Sequence, residues 1–143
     1  MVNSVIAAVP LEGGRLVVWF GNGDSKEYDA GEINCSQSEL AKIEVLPDGD
    51  GLRVGSRLTI DADKLYELGE EIDFVGDEKT RILKNLSTIR RKAGFSQTRL
   101  GEAAGIRQSV ISRIEGCEIS PQINTLLKLL APLGKTLEIV DLK

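Results

Sequence analysis

The feature that most limits the fold is a glycine set between two short helical patterns, in SQTRLGEAAGIRQSVISRIEG, residues 96–116. Helices joined by so short a turn must touch, and touching demands particular residue types at fixed offsets. The first helix needs an apolar residue about one turn in, and Leu100 stands there. The next position must be small. Gly101 satisfies this, although glycine costs about 1 kcal/mol in a helix relative to alanine. The turn needs a residue that accepts a left-handed backbone, which Gly105 provides. Ile106 is the apolar residue after the turn, and Ile111 and Ile114 give the second helix buried positions spaced by three. Ser96 is placed to cap the first helix, Gln97–Ala104, and the second runs from Arg107 to Glu115.

The remaining side of the second helix is polar and basic. A helix-turn-helix can place that side in a major groove. Gln108 can bond bidentately to adenine, and Arg113 to guanine or to phosphate. Ser109 can bond either base type, and Val110 can pack on a thymine methyl. Gln97, Arg99 and Arg107 are better placed for phosphates, which helix N-termini also attract through their free N–H groups.

A DNA-reading helix sits oddly in a chain of 143 residues with a net charge of -4. The conflict goes when charge is followed along the sequence. Residues 1–77 carry sixteen Asp/Glu against six Lys/Arg, a net of -10, and residues 78–143 carry twelve Lys/Arg against six Asp/Glu, a net of +6. Such asymmetry predicts two functional halves, the second facing a polyanion.

The halves also differ in pattern. SVIAAVP (4–10) and RLVVWF (15–20) read as strands. Asn22-Gly23 reads as the hairpin turn after the second, since both central positions tolerate positive φ, and SKEYDA (25–30) can return antiparallel. Ser36 and Glu39 predict a capping box. KIEVL (42–46) reads as a strand, PDGDG as a turn, and LRVGSRLTI (52–60) as one or two strands. Asp61 or Asp63 caps a short helix with Leu65 and Leu68 on its apolar side. EEIDFVGDEK (70–79) reads as an acidic linker, with Ile72, Phe74 and Val75 able to dock on a domain.

Beyond it, Ile82, Leu86 and Ile89 predict a helix ended by Gly94. A fourth helix opens at Ser120-Pro121, with Leu126, Leu127, Leu130 and Leu133 as its buried stripe and Pro132 distorting its last turn. KTLEIVDL (135–142) reads as a terminal strand.

Little enzymatic chemistry fits. The chain has no histidine, the commonest general base and metal ligand. No metal site, cofactor or catalytic residue is expected. PDGDG lacks the further ligands of a calcium loop, and there is no GxxxxGK phosphate loop. Cys35 and Cys117 read as small buried residues, and Trp19, Phe20 and Tyr28 as core. No apolar run is long enough to span a bilayer, and the N-terminus lacks the basic flank of a signal peptide, so no membrane role and a cytoplasmic location are expected.

FSQTRLGEAAGIRQSVISRIEG and the downstream SPQINTLLKLLAPLG resemble the lambda-repressor-like (Xre-type) helix-turn-helix family, across residues 82–142. The resemblance implies that Gln97 clamps a phosphate, that Gln108, Ser109 and Arg113 contact bases, and that operators are bound by dimers. LGKTLEIV is similar to a variant of antitoxin-type repressors in which a terminal strand pairs across the dimer. Three departures stand out. Gly101 replaces the family's alanine. The recognition helix closes on Gly116, with Cys117 in the usual glycine position. Pro132 lies near the end of the fourth helix. Residues 1–75 are similar, more weakly, to a small bacterial α+β domain of unknown function.

The expectation is an α+β chain: a small β-rich N-terminal α+β domain (1–75), then an all-α helix-turn-helix domain with a C-terminal strand (76–143). Its function is sequence-specific binding of double-stranded DNA as a repressor, homodimeric through strand 136–142. The alternative is an antitoxin that holds a toxin on its N-terminal domain and regulates its own operon.

Overall fold

The computed structural model describes residues 3–56 and 58–143. The chain divides into two compact units between Asp73 and Phe74, and the last three residues, Asp141–Lys143, group with the first unit.

The first unit holds two antiparallel sheets. One has the order β1-β2-β3-β7, from Val5–Leu11, Arg15–Phe20, Ser25–Asp29 and Glu70–Ile72. The other has the order β4-β5-β6, from Glu44–Val45, Gly51–Val54 and Leu58–Asp61. Alternation in RLVVWF sends Leu16, Val18 and Phe20 into one apolar cluster with Tyr28, Leu40, Leu52 and Leu65.

β2 and β3 pair antiparallel across Asn22-Gly23, as expected. Only Gly23 takes a positive φ, of 92°. Asn22 acts through its side chain, whose Oδ1 accepts the Asp24 N–H at 3.0 Å. The capping box forms as read: Ser36 Oγ accepts from Glu39 N at 3.2 Å, and Glu39 Oε1 accepts from Ser36 N at 3.1 Å. It opens α1, Gln37–Leu40. The strand expected over 42–46 shrinks to Glu44–Val45, because the N–H groups of Lys42 and Ile43 are spent on the end of α1. Asp61 caps α2, Ala62–Leu68, by accepting from Lys64 N at 2.8 Å. Leu65 is buried there while Leu68 faces solvent.

The linker reading of 70–79 is overturned. Glu70–Ile72 is β7, paired to β3 through Ser25↔Ile72 and Glu27↔Glu70. Ladder bonds are made by the backbone, so two glutamates do not prevent them. The helix then begins at once.

The second unit is helical: α3 (Phe74–Lys92), α4 (Gln97–Ala104), α5 (Gln108–Glu115) and α6 (Ile123–Leu130). Asp77 in the first turn of α3 suits the positive end of the helix dipole. The core is Leu83, Leu86, Leu100, Ile111, Ile114, Leu129 and Leu130. Leu86, Leu126, Leu130 and Leu133 pack on the core as expected, and one member of each stripe is exchanged. Leu83 is buried where Ile82 was expected, and Leu129 is buried while Leu127 is exposed. In an apolar-rich helix several stripes compete, and the neighbouring helices choose between them. Helix α6 starts at Ile123, after Pro121, and its end tightens into a 3-10 turn, Ala131–Leu133, around Pro132.

The expected terminal strand is absent from the single chain. Residues 135–142 form no strand, with Ile139 at 101% and Val140 at 68% exposure. A strand exists only with a ladder partner, and the elements of the second unit are all helical.

Candidate nucleic-acid interface

The two helices of the turn are fixed from both ends. Ser96 Oγ accepts from Arg99 N at 3.0 Å and caps α4. Gly105 closes α4 at φ 71°, ψ 31°. The Ile106 N–H then reaches back to the Gly101 carbonyl at 3.0 Å. Gly101 is required by space as well as by size class: a Cβ there would lie 2.4 Å from the Ile106 carbonyl oxygen. The helix-propensity cost of glycine is thus offset by an approach that alanine cannot make without moving the turn.

Helix α5 buries Ile111 and Ile114 and turns Gln108, Ser109, Ser112 and Arg113 outward on one side. Arg107 opens it with no side-chain cap, so no side chain of its own occupies the positive end of the helix. Arg107 and Arg99 are exposed, and Arg99 stacks on the Phe95 ring at 4.3 Å. Gln97 is half-buried. Val110 departs from the others, being half-buried and packed against the core of the second unit. Ser112, which sequence reasoning did not single out, shares the exposed face through its i+4 spacing from Gln108.

Beneath this face lies a buried ion pair. Arg90 Nε donates to Glu115 Oε2 at 2.7 Å and Nη2 to Oε1 at 2.9 Å, with side chains only 10% and 6% exposed. Arg90 Nη1 also donates to the Phe95 carbonyl at 2.7 Å. Burial pushes the Glu115 carboxyl up, but hydrogen bonds from Arg90, Gln97 and Ser87 outweigh it and hold the group below its ordinary range. The hydrogen bond to Glu115 likewise raises Arg90. Gln97 Nε2 donates to Glu115 Oε1 at 3.2 Å, and Gln108 Nε2 donates to Gln97 Oε1 at 2.7 Å. A residue expected at phosphate and one expected at a base are thus bonded to each other and, through one carboxylate, to the core. Sequence reasoning missed Arg90 and Glu115. A signal existed: each extends an apolar stripe, Leu83-Leu86-Arg90 and Ile111-Glu115, so a charge falls on the buried side of both helices.

The closure of α5 is also corrected. Gly116 is not left-handed, at φ −80°. Cys117 is, at φ 59°. The N–H of Cys117 bonds to the Ile114 carbonyl at 3.0 Å and that of Glu118 to the Arg113 carbonyl at 2.9 Å, the paired bonds of a Schellman closure. The helix therefore closes at Cys117, the position the resemblance assigns to glycine, with cysteine itself adopting the left-handed conformation.

Residues 86–140 match the helix-turn-helix family model. An uncharacterized HTH-type transcriptional regulator of Haemophilus influenzae is 49% identical over 65 residues, which are 46% of this chain and 66% of that protein. The HTH-type transcriptional regulator PuuR of Escherichia coli is 44% identical over 63 residues, 44% of this chain and 34% of PuuR. The chain thus spans just under two thirds of the first relative's length and about a third of the second's. Among solved structures, a toxin–antitoxin module from Streptococcus pneumoniae is 43% identical, covering 49% of this chain and 77% of that one, with a TM-score of 0.42. Residues 86–140 of this chain belong to the lambda-repressor-like (Xre-type) helix-turn-helix family.

Proposed function

We propose that this chain is a cytoplasmic, sequence-specific DNA-binding protein, a transcriptional repressor rather than an enzyme, which holds a near-palindromic operator as a homodimer. The observation that carries this reading is the outer side of α5. Gln108, Ser109 and Arg113 stand exposed together on a helix whose inner side is anchored by Ile111, Ile114 and Glu115. These three read bases, and Val110 adds a thymine contact with the surface it keeps free of the core. Gln97, Arg99 and Arg107 hold phosphates on either side of the reading helix. Two copies set α5 into successive major grooves, about 34 Å apart. Residues 136–142 supply the dimer contact: Ile139 and Val140 are exposed in the single chain and gain a ladder by pairing with a second copy.

Selection of binding sites from random DNA by the full chain tests the reading. A near-palindromic motif is expected, and selection of no motif overturns it. Sedimentation with the selected DNA is expected to give two chains per site. The antitoxin alternative keeps the same DNA face and adds a protein bound to the first unit. Co-purification of a stoichiometric small basic protein distinguishes it.

A further inference from the structure

Four side chains run in one hydrogen-bonded line from the core of the second unit to the surface of α5: Arg90, Glu115, Gln97 and Gln108. The polarity of that line is set at its inner end. Both oxygens of Glu115 accept from Arg90, and an ionised carboxylate has no proton to give. Gln97 must therefore turn its NH2 group to Glu115, which leaves its carbonyl oxygen facing Gln108. Gln108 must then give an N–H to that oxygen, as it does at 2.7 Å. What it has left is its own carbonyl oxygen and one N–H.

We propose that Glu115 is a specificity-positioning residue: by accepting from Gln97 it fixes the Gln108 amide so that the tip of α5 presents one acceptor and one donor, selecting adenine and rejecting guanine. Adenine offers N6–H and N7 side by side in the major groove, a donor and an acceptor that match this tip. Guanine offers two acceptors, O6 and N7, and one of them would meet the Gln108 carbonyl oxygen. A free glutamine could turn its NH2 to guanine instead, but here that would set two carbonyl oxygens, those of Gln97 and Gln108, against each other. Glu115 touches no base in this scheme. It acts through two amides, and the inference rests on α5 being the DNA-reading helix.

The test measures relative affinities of the full chain for operators varied one position at a time. Gln108→Ala identifies the position that Gln108 reads, as the one where preference is lost. Glu115→Gln can offer Gln97 either an N–H or a carbonyl oxygen and so no longer dictates polarity. It is expected to cut the adenine-over-guanine ratio at that position about tenfold while the ratios at other positions hold. Gln97→Met leaves the Arg90–Glu115 pair in place and breaks the line one step further out, and the same loss is expected. A folded Glu115→Gln protein with the wild-type ratio, binding all sequences evenly more weakly, overturns the proposal and leaves Glu115 a structural group. If Glu115→Gln does not fold, Gln97→Met decides in its place. Guanine preferred by the wild type at the Gln108 position also overturns it. A wild type that selects no motif overturns the DNA-reading function itself, which is a different failure.

Discussion

The two units bury polar groups in different ways. In the first, Tyr28 gives its hydroxyl to the Leu65 carbonyl and Ser25 gives its own to the Ile72 carbonyl at 3.0 Å. Each bond is neutral, joins a side chain to backbone and goes no further. In the second, Arg90 and Glu115 are charged, bonded twice, and continued through Gln97 to the surface at Gln108. A neutral hydroxyl can be removed from a core with little left undone. One member of a buried ion pair cannot, because the other remains as an uncompensated charge. The first unit uses polarity to tie elements together, whereas the second also uses it to orient what lies outside.

The largest effect should come from breaking the second pattern. Arg90→Met keeps much of the side chain's volume and strands the Glu115 carboxylate, which costs about 3–5 kcal/mol. Urea unfolding followed by far-ultraviolet circular dichroism reports this, since the helices of the second unit dominate that signal. Tyr28→Phe should cost only about 1 kcal/mol, because one net hydrogen bond is lost. The Leu65 carbonyl keeps its bond from the Gly69 N–H. Fluorescence of Trp19, the chain's single tryptophan and part of β2, follows that unit separately. Equal costs in the two units would end the contrast.

Next in size are effects on binding. Gln108→Ala should lose about 1–3 kcal/mol of operator affinity and relax preference at one base position. Gln97→Ala should weaken binding to all sequences through its lost phosphate contact and relax the base position that Gln108 reads. Tyr28→Phe should change neither, since the Tyr28 hydroxyl bonds within its own unit, to the Leu65 carbonyl.

The units should also fail at opposite ends of the pH scale. The Glu115 carboxyl is held low, so its stabilisation is complete above its unfolded pKa, about 4.3, and is lost as pH falls through the folded value. Burial, with Glu32 nearby, holds the Tyr28 phenol high. Its contribution is therefore complete below an unfolded pKa of about 10 and is lost as pH rises beyond that. Acid should loosen the helical signal first and alkali the tryptophan signal. Glu115→Gln and Tyr28→Phe should each flatten their own limb.

Much of this was legible where the deciding interactions are local. RLVVWF, the Ser36 capping box, the Asp61 cap and the Gly105 turn each depend on residues within four or five positions of one another. What was not legible depends on distant partners. Glu70–Ile72 looks like a charged linker because its strand character comes from β3, more than forty residues earlier. The phases of α3 and α6 are set by which helices meet them, so Leu83 and Leu129 displace Ile82 and Leu127 from the core. Arg90 and Glu115 each extend an apolar stripe, but a charge there makes sense only once the other is known. Residues 135–142 show strand periodicity but form no ladder in one chain.

The smallest effect separates the units at the backbone. Three non-glycine residues among those described have positive φ: Asn34, Asp48 and Cys117. The first unit places there the two residue types that visit the left-handed region most readily, since a short polar side chain can bond locally. The second places cysteine, which has no such compensation, and the left-handed conformation costs an ordinary residue about 1–2 kcal/mol. Comparing two substitutions isolates that cost. Cys117→Ala and Cys117→Gly both remove the thiol and its packing against the core, but only glycine relieves the backbone. The glycine variant gives back part of its gain through the greater freedom of its unfolded chain. It should still be the more stable of the two, by about 1 kcal/mol in thermal unfolding. Equal stabilities would mean that the Schellman bonds at Cys117 and Glu118 hold the turn without strain. An alanine variant more stable than the glycine one would mean that α5 has shifted its closure to Gly116.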